Sequence, residues 1–343
     1  MKKKKKIIAI LVVLVALIIA IYAAVNIYVD SLISKTNTEE IEDIEVIEDE
    51  TPTKHDVVNF MLVGADNLDA DRYNSYTEER SDVFKIVSLD YTERTIKLTS
   101  LDRDIVVYIP DKNEFGRFNW AYSFGGGKYA LNTINYNLDL DVEKYVAFSF
   151  AGFINVIDKV GGIELNLTQE VANILNGDTN RSKYYQEGMN ELDGRAALTY
   201  ARIRHLDSDF KRMDRQNDVI TAVINKLKTQ PFTNLLDIVN ECLPYITTNL
   251  ETNEIKSYLT DLLSFNLNSI KKHTYPTNRE KDVCINLTDL GGYLIYSYVD
   301  ECIALHKFIY GTEDYKPTQR IYDNEKLTYK TFGQYYEGSE LLP

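Results

Sequence analysis

Short apolar runs, separated by polar and glycine-rich loops, alternate along the chain with stretches in which apolar residues recur every three or four positions. The runs predict strands and the recurring positions predict helices, so the pattern indicates an α/β domain. Residues 57–64 form a continuous apolar run, typical of a buried strand, and residues 83–89 and 95–101 predict a strand pair around the loop 90–94. Further strands are predicted at 105–109, 145–150 and 163–167.

Helices are predicted at 128–138, 153–160, 193–202, 209–228, 235–243, 254–263 and 291–308. Asp193 is the expected N-cap of the third of these. The helix at 209–228 carries an apolar stripe at helical spacing, formed by Met213, Val219, Ile220, Val223, Ile224 and Leu227. About 250 residues suffice for one sizeable domain, which we place at 56–310. Residues 311–343 are rich in Tyr, Gly and Lys and predict a loosely ordered tail.

The N-terminus combines a basic run with a long apolar one. Residues 2–6 are all lysine, and residues 7–29 contain no charge and a single amide, Asn26. A helix of this length is about 35 Å long, enough to cross a hydrocarbon core of about 30 Å. The leading lysines predict that residues 1–6 are cytoplasmic and that everything from Asp30 onward lies outside the cell membrane. A cleaved signal peptide is the alternative, although its apolar part is typically about 7–15 residues.

Charge restricts the partners of the exported part. The chain has 38 basic and 52 acidic residues, and without its five leading lysines the net charge is −19. Because nucleic-acid affinity draws on many cations, we predict no nucleic-acid partner. Residues 38–50 are mostly acidic, which predicts a flexible stalk over 30–55. Cys242, Cys284 and Cys302 have no zinc-binding spacing, so one disulfide with a free thiol and three buried thiols both stay open.

Four of the thirteen arginines lie within fourteen residues: Arg202, Arg204, Arg212 and Arg215. Guanidinium groups present paired donors that match phosphate oxygens, so the cluster predicts a phosphate or pyrophosphate site. A solvated helical face with nearby aspartates as salt-bridge partners is the alternative. Arg212, Arg215 and Gln216 lie three and four positions apart near the predicted start of a helix, where the helix dipole favours an anion.

Four segments in order resemble the LytR–CpsA–Psr family of membrane-anchored cell-wall ligases: FMLVGAD at 60–66, RSD at 80–82 with SLDRD at 100–104, RFNWAY at 117–122, and YARIRHLDSDFKRMDRQ at 200–216. The resemblance covers about residues 59–228 and includes the N-terminal anchor. It is consistent with an α/β fold in which a central mixed sheet has helices on both faces.

The resemblance also implies an activity. The family transfers a glycopolymer, such as teichoic acid or capsular polysaccharide, from a polyprenyl-pyrophosphate carrier to a muramic acid sugar of peptidoglycan, and polyprenyl phosphate is released. The expected location is the outer side of the cell membrane of a Gram-positive-type bacterium. A pyrophosphate hydrolase and a non-catalytic binding module or regulator are the alternatives, since a hydrolase differs only in its acceptor and a binding module needs the arginines but not both metal-binding aspartates.

Site residues follow from the matched segments. Asp66 ends one predicted strand and Asp82 opens the next, so two carboxylates on neighbouring strands can share one Mg²⁺, with Mn²⁺ as a second option. The resemblance implies the same pair, and aspartates that satisfy turn amides are the alternative. The residues expected at the pyrophosphate are Arg80, Arg103, Arg117, Arg202, Arg204 and Gln216, with Arg212 and Arg215 at the border.

The expected catalytic set is Arg80, Arg103 and Asp104, with Asp104 as the candidate base for the attacking sugar hydroxyl. One position departs from the family, which usually has proline before the Arg-Asp pair, whereas this chain has Asp102. Proline would fix φ and remove a donor. Aspartate adds a negative charge, which could weaken pyrophosphate binding, alter the metal site, or have no effect if it points to solvent.

Overall fold

A mixed β-sheet forms the centre of the structure, a computed structural model that describes residues 27–46, 55–65, 81, 83–179, 182–203, 206, 209–262, 264–267, 269–277, 283–287 and 291–332. The strands in this part of the chain are β1 (Asn37–Thr38), β2 (Val57–Ala65), β3 (Val83–Asp90), β4 (Thr95–Leu101), β5 (Val106–Ile109), β6 (Glu114–Arg117), β7 (Lys144–Ser149), β8 (Ile163–Leu167), β9 (Gly188–Leu192), β10 (Ile246–Thr248), β11 (Ile270–Tyr275), β12 (Val283–Leu287) and β13 (Gly291–Ile295).

Seven of these strands form the central sheet, in the order β1-β10-β7-β2-β3-β4-β11. β2, β3 and β4 are antiparallel neighbours, whereas β7 is parallel to β2 and β11 is parallel to β4. The pairs β5–β6, β8–β9 and β12–β13 form separate two-stranded ribbons. The expected mixed sheet is therefore present.

The helices lie between and after these strands: α1 (Phe118–Leu138), α2 (Phe150–Lys159), α3 (Gln169–Gly177), α4 (Gly194–Arg202), α5 (Asp209–Lys228), α6 (Phe232–Cys242), α7 (Thr252–Leu262), α8 (Tyr298–Tyr310) and α9 (Gln319–Phe332). Side chains on β2 alternate between the two faces of the sheet. Met61 and Val63 pack into a buried cluster with residues of α1 and α8, whereas Leu62 and Gly64 face α2, α4 and α5. Helices thus cover both faces of the sheet, as expected.

Two predicted helices differ from the structure. The helix expected at 128–138 begins ten residues earlier, because Phe118 and Ala121 pack on the sheet and the chain continues through a kink at Gly125 and Gly126. The glycines therefore bend the helix rather than start it. The helix expected at 291–308 is wrong in its first part, since Gly291–Ile295 pairs with β12 as a strand. The helix itself begins after Ser297, whose side chain accepts a hydrogen bond from the amide of Asp300.

The described parts of the segments before and after the predicted domain, 30–46 and 311–332, are also more ordered than expected. Ile41 and Ile44, within the acidic stretch predicted to be a flexible stalk, pack against the main core, and the amide of Glu39 donates to the carbonyl of Thr248 at 2.9 Å. In place of a loosely ordered tail, α9 lies on the domain with Ile321 fully buried. The prediction was wrong for both segments because their high content of charged residues outweighed the few apolar residues that pack on the core.

The predicted membrane span, 7–29, lies almost entirely outside the described residues. Within the ranges that the structure describes, no helix is both long and apolar enough to cross a membrane. Cys242 and Cys302 are buried and take part in no disulfide within the described residues, and burial raises the pKa of the Cys242 thiol to about 11. The side chain of Cys284 lies outside the described part of the chain.

The approach of α4 to α2 depends on one glycine. A Cβ at Gly194 would lie 2.3 Å from the carbonyl oxygen of Ile154, and the Gly194 amide donates to Oδ1 of Asp158 at 2.7 Å. Asp193 caps α4 as expected, accepting from the amide of Ala196 at 2.8 Å. The start of α4 is therefore fixed tightly against α2.

Gly194→Ala is expected to destabilise the fold by about 1–3 kcal/mol, because the added methyl group overlaps backbone atoms that cannot move aside. The measurement is urea unfolding followed by circular dichroism. Gly177→Ala is the matched control: Gly177 also lies at the end of a helix, and a methyl group added there would meet nothing within 4 Å. Equal unfolding midpoints for the two variants would contradict the close packing of α2 and α4.

Candidate functional site

The ends of three antiparallel strands meet at one edge of the central sheet. Gly64 near the end of β2 pairs with Val83 at the start of β3, and Phe84 pairs with Leu101 at the end of β4. The Ser81 hydroxyl closes this edge by donating to the carbonyl of Gly64 at 2.8 Å. The predicted residues Asp66, Arg80 and Asp82 lie outside the described part of the chain. Their described sequence neighbours, however, are brought together at this edge.

The turn after β4 is ordered by Asp102, the residue that replaces the family's proline. Its amide donates to the carbonyl of Tyr275 at 3.0 Å, and its Oδ1 accepts from the amide of Asp104 at 2.8 Å. A side chain that accepts from the amide two residues later forms an Asx-turn, which constrains the backbone locally. Asp102 is buried, so it does not point to solvent. Aspartate thus orders the turn by a side-chain hydrogen bond, whereas proline would order it because its ring fixes φ.

Asp104 lies between two of the predicted pyrophosphate-binding arginines. Nε of Arg103 is 3.4 Å from Oδ2 of Asp104, and Nη1 of Arg117 is 3.5 Å from Oδ1. Arg117 reaches this position because β6 pairs with β5, with Arg117 opposite Val106, directly after the turn. The structure therefore brings Arg103, Asp104 and Arg117 into one cluster. All three side chains are largely shielded from solvent, which strengthens the interactions among their charges.

The arginine-rich segment divides into an exposed and a buried part. Arg202, the last residue of α4, is exposed, and its guanidinium carbon lies 4.7 Å from the centre of the Phe150 ring. Arg215 is buried, and its Nη2 donates to the carbonyl of Ile203 at 2.7 Å. This bond joins the first turns of α5 to the end of α4, a connection that an arginine supplies well. Arg212 is also buried, and Arg204 lies outside the described residues.

An apolar cavity of about 240 Å³ opens between the sheet and helices α2, α4 and α5. Among the described residues, two polar ones line it, Arg202 and Gln216. The other lining residues are Leu62, Val63, Gly64, Val83, Phe148, Phe150, Phe153, Val156, Ile157, Leu198, Ala201, Val219, Ile220, Val223 and Ile224. Because the lining is almost entirely apolar, an elongated apolar group could occupy this space.

Sequence reasoning did not find this cavity, because its lining residues are of the types expected in any core. The sequence also did not single out Lys85, the third residue of β3, which is fully buried and faces the same side of the sheet as Val83. The sequence contains a sign of each feature. For the cavity, Gly64 leaves a position without a side chain in a mainly apolar strand. For the lysine, Lys85 is the single charged residue within the run VFKIVSL.

One further group of potential metal ligands occurs within the described ranges, at the opposite end of β3. His55, Asp90 and Glu93 place one ligand atom each within 4.8 Å of one another. Nζ of Lys97 is 2.7 Å from Oδ2 of Asp90, and Nδ1 of His55 is 2.6 Å from the same oxygen. A buried ammonium at this position would repel a divalent cation. The group is therefore a structural ion-pair cluster.

Comparison with known proteins identifies relatives of the chain. Teichoic acid transferase TagT of Bacillus subtilis strain 168, named a polyisoprenyl-teichoic acid–peptidoglycan teichoic acid transferase, is 32% identical over 177 residues, which are 51% of this chain and 54% of that protein. The chain thus spans about half of the length of this relative. TagU of Enterococcus faecalis, which carries the same enzyme name, is 28% identical over 277 residues, 77% of this chain and 86% of that protein.

The fold has the same relatives. The solved structure of Bacillus subtilis TagT with bound octaprenyl pyrophosphate lipid superposes with a TM-score of 0.58 at 22% identity, covering 81% of this chain and all of that one. At this identity the likeness establishes the fold alone. The model of the LytR_cpsA_psr family matches residues 21–300. Because this match covers most of the sequence, the chain belongs to the LytR–CpsA–Psr family.

Proposed function

We propose that the protein transfers a glycopolymer of the teichoic acid or capsular type from a polyprenyl-pyrophosphate carrier to peptidoglycan and releases polyprenyl phosphate. The observation that carries this proposal is the apolar cavity whose lining includes Arg202 and Gln216. A polyprenyl pyrophosphate has the same two parts, a long apolar chain and an anionic head. The names of TagT and TagU, and the lipid bound to TagT, support the same substrate class.

The cavity and the candidate site residues have separate roles in this reaction. The cavity holds the prenyl chain, so the pyrophosphate is presented to Arg202 and Gln216. The acceptor hydroxyl oxygen forms a bond to the phosphorus that carries the polymer, and the bond from this phosphorus to the bridging oxygen breaks. The electron pair stays on the departing lipid phosphate, whose growing charge Arg80, Arg103 and Arg117 stabilise. Asp104 accepts the proton of the attacking hydroxyl.

Asp66 and Asp82 would hold a magnesium ion. The donor set fits, since hard carboxylate oxygens suit Mg²⁺ and few protein ligands are needed. Ala65 and Val83, which adjoin the two aspartates in sequence, end and begin neighbouring strands, and Ser81 is bonded to Gly64. When bound, the ion neutralises charge on the phosphate oxygens. Manganese has similar ligand preferences.

The proposed location is the outer side of the cell membrane, with residues 7–29 as the anchor. Peptidoglycan and its lipid-linked precursors meet on this side. An enzyme tethered here would receive a prenyl chain from the bilayer without releasing it to water. The negative net charge outside the anchor is compatible with a carbohydrate acceptor and unfavourable for nucleic acid.

Arg202→Ala is expected to lower kcat/KM for a prenyl-pyrophosphate-linked donor about 100-fold, because the cation that contacts the donor's pyrophosphate is removed. The assay follows transfer of labelled polymer to peptidoglycan. Arg195→Ala is the matched control, as Arg195 lies on the same helix but is exposed and pairs with Asp178 at 4.0 Å. Similar activities of the two variants would show that Arg202 is not at the reacting groups.

Val223→Phe is expected to weaken binding of a long prenyl pyrophosphate about 10-fold, equivalent to about 1.4 kcal/mol, because the ring occupies the cavity. Binding of a five-carbon prenyl pyrophosphate should stay within about 2-fold of the native value. Isothermal titration calorimetry measures both. Asn225→Phe, an exposed position two residues further along α5, serves as the control. Equal losses for the long and short ligands would mean that the cavity does not hold the chain.

The double variant Asp66→Asn with Asp82→Asn is expected to retain about 1% of transfer activity or less, and EDTA should have the same effect on the native protein, reversed by Mg²⁺. Calorimetry with magnesium should show one site in the native protein and none in the variant. Full function of the variant in cells would favour a binding module. Unchanged release of free polymer when peptidoglycan is added would favour a hydrolase.

A further inference from the structure

Lys85 is the third residue of β3 and has no solvent exposure, and its ammonium joins three elements of the fold. Nζ donates to Oγ of Ser100 on β4 at 2.7 Å and to Oδ1 of Asn217 on α5 at 2.8 Å. The Ser100 hydroxyl also donates to Oδ1 of Asn217, at 3.2 Å. A single amide oxygen therefore accepts from both residues of the sheet, and this fixes α5 to β3 and β4.

Lys85, Ser100 and Asn217 form a hydrogen-bonded triad, and each of them lies next to a part of the proposed site. Lys85 pairs across the sheet with Leu62, which lines the cavity, and lies on the same face as Val83, which also lines it. Asn217 directly follows Gln216, which lines the cavity. Ser100 is three residues before Arg103. The triad thus spans the gap between the helix that carries Gln216 and the strand that leads to the arginine cluster.

Burial of an ammonium against neutral acceptors is costly, and an apolar side chain of the same length would avoid the cost. The benefit of such a buried polar contact is conformational specificity, because it is satisfied in only one arrangement of the packed elements. We propose that Lys85 is a positioning residue of the transfer site, which holds the first turns of α5 against β3 and β4 so that Gln216 and Arg103 face the same pyrophosphate. The catalytic part of this inference rests on the proposed function.

Among the described residues, two charged groups act on Lys85 from the elements packed against it, Lys272 on β11 and Asp214 on α5. The pKa of Lys85 is lowered from its ordinary 10.5 to about 7, chiefly by burial and also by Lys272, while Asp214 opposes the shift. Below pH 7 both the folded and the unfolded chain carry the proton, so the full cost of burying the charge is present. Between about pH 7 and 10.5 the unfolded chain binds more protons, so this cost declines as the pH rises. Lys85→Met should remove this pH dependence.

The first experiment measures amide hydrogen exchange of the full-length protein in detergent micelles. In Lys85→Met the amides of residues 211–217 should exchange about 10-fold faster, because the first turns of α5 lose their connection to the sheet. Lys97→Met is the matched control: Lys97 is equally buried on β4, but it binds Asp90 at 2.7 Å and the carbonyl of Ile309 at 2.7 Å, far from the triad. It should leave exchange in 211–217 unchanged.

Kinetics of the same proteins test the consequence for the reaction. Lys85→Met should lower kcat about 10-fold and leave KM for the lipid-linked donor within about 2-fold, because the cavity that binds the lipid is intact while the reacting groups are misaligned. Lys97→Met should lower thermal stability without this change in kcat. A loss of stability alone, equal in the two variants, would overturn the positioning role.

A second pair of variants applies if Lys85→Met does not fold. Asn217→Asp keeps an acceptor for the ammonium and should lower kcat by less than about 3-fold, because a carboxylate favours the charged lysine. Asn217→Leu removes the acceptor and should reproduce the exchange and kcat of Lys85→Met. Native exchange in Asn217→Leu would refute the inference. Because exchange is measured without turnover, an inactive native protein would refute the proposed function and leave the positioning of α5 to be decided by exchange.

Discussion

The antiparallel register of β2, β3 and β4 is the constraint on which the candidate site depends. Because Gly64 is opposite Val83 and Phe84 is opposite Leu101, three chain segments leave or enter the sheet at the same edge. A slip of one residue between any two strands would exchange the two faces of the sheet, so that in β3, for example, Lys85 would turn toward the close-packed core that contains Phe84 and Ile86. The hydrophobic alternation that stabilises the fold therefore also fixes which segments meet at the site.

The two faces of this sheet differ in how closely they are packed. One is filled by α1 and α8 and forms a close-packed core, whereas the other leaves a cavity beneath α4 and α5. Gly64 contributes to the difference, because it offers no side chain at the position where β2 faces the cavity. The polar residues that line the cavity, Arg202 and Gln216, belong to α4 and α5 rather than to the sheet. Under the proposed function, a ligand with an apolar chain and an anionic head would lie across two layers, and the relative position of these layers would decide how the head meets the arginine cluster.

Much of the fold could be predicted, because strands such as 83–89 and helices such as 209–228 have a clear period. The acidic stretch that contains Ile41 was misjudged, because its composition outweighed two apolar residues that pack on the core. For the site, local motifs identified the candidate arginines but not their environments. Arg202 and Arg215 look alike in sequence, yet one is exposed over Phe150 and the other is bonded to a backbone carbonyl inside the domain. Such differences arise from contacts between distant segments, which spacing does not encode.

Two lysines on adjacent strands illustrate how buried charge can be divided between stability and function. Lys97 lies against the carboxylate of Asp90, so its charge is balanced within the protein. Lys85 donates to a hydroxyl and an amide, so the burial of its charge is compensated only in part, which agrees with its lowered pKa. Under the proposed function, an anion bound at Gln216, the residue before Asn217, would favour the charged form of this lysine. Binding of the anion and protonation of Lys85 would then favour each other, because linked equilibria are reciprocal.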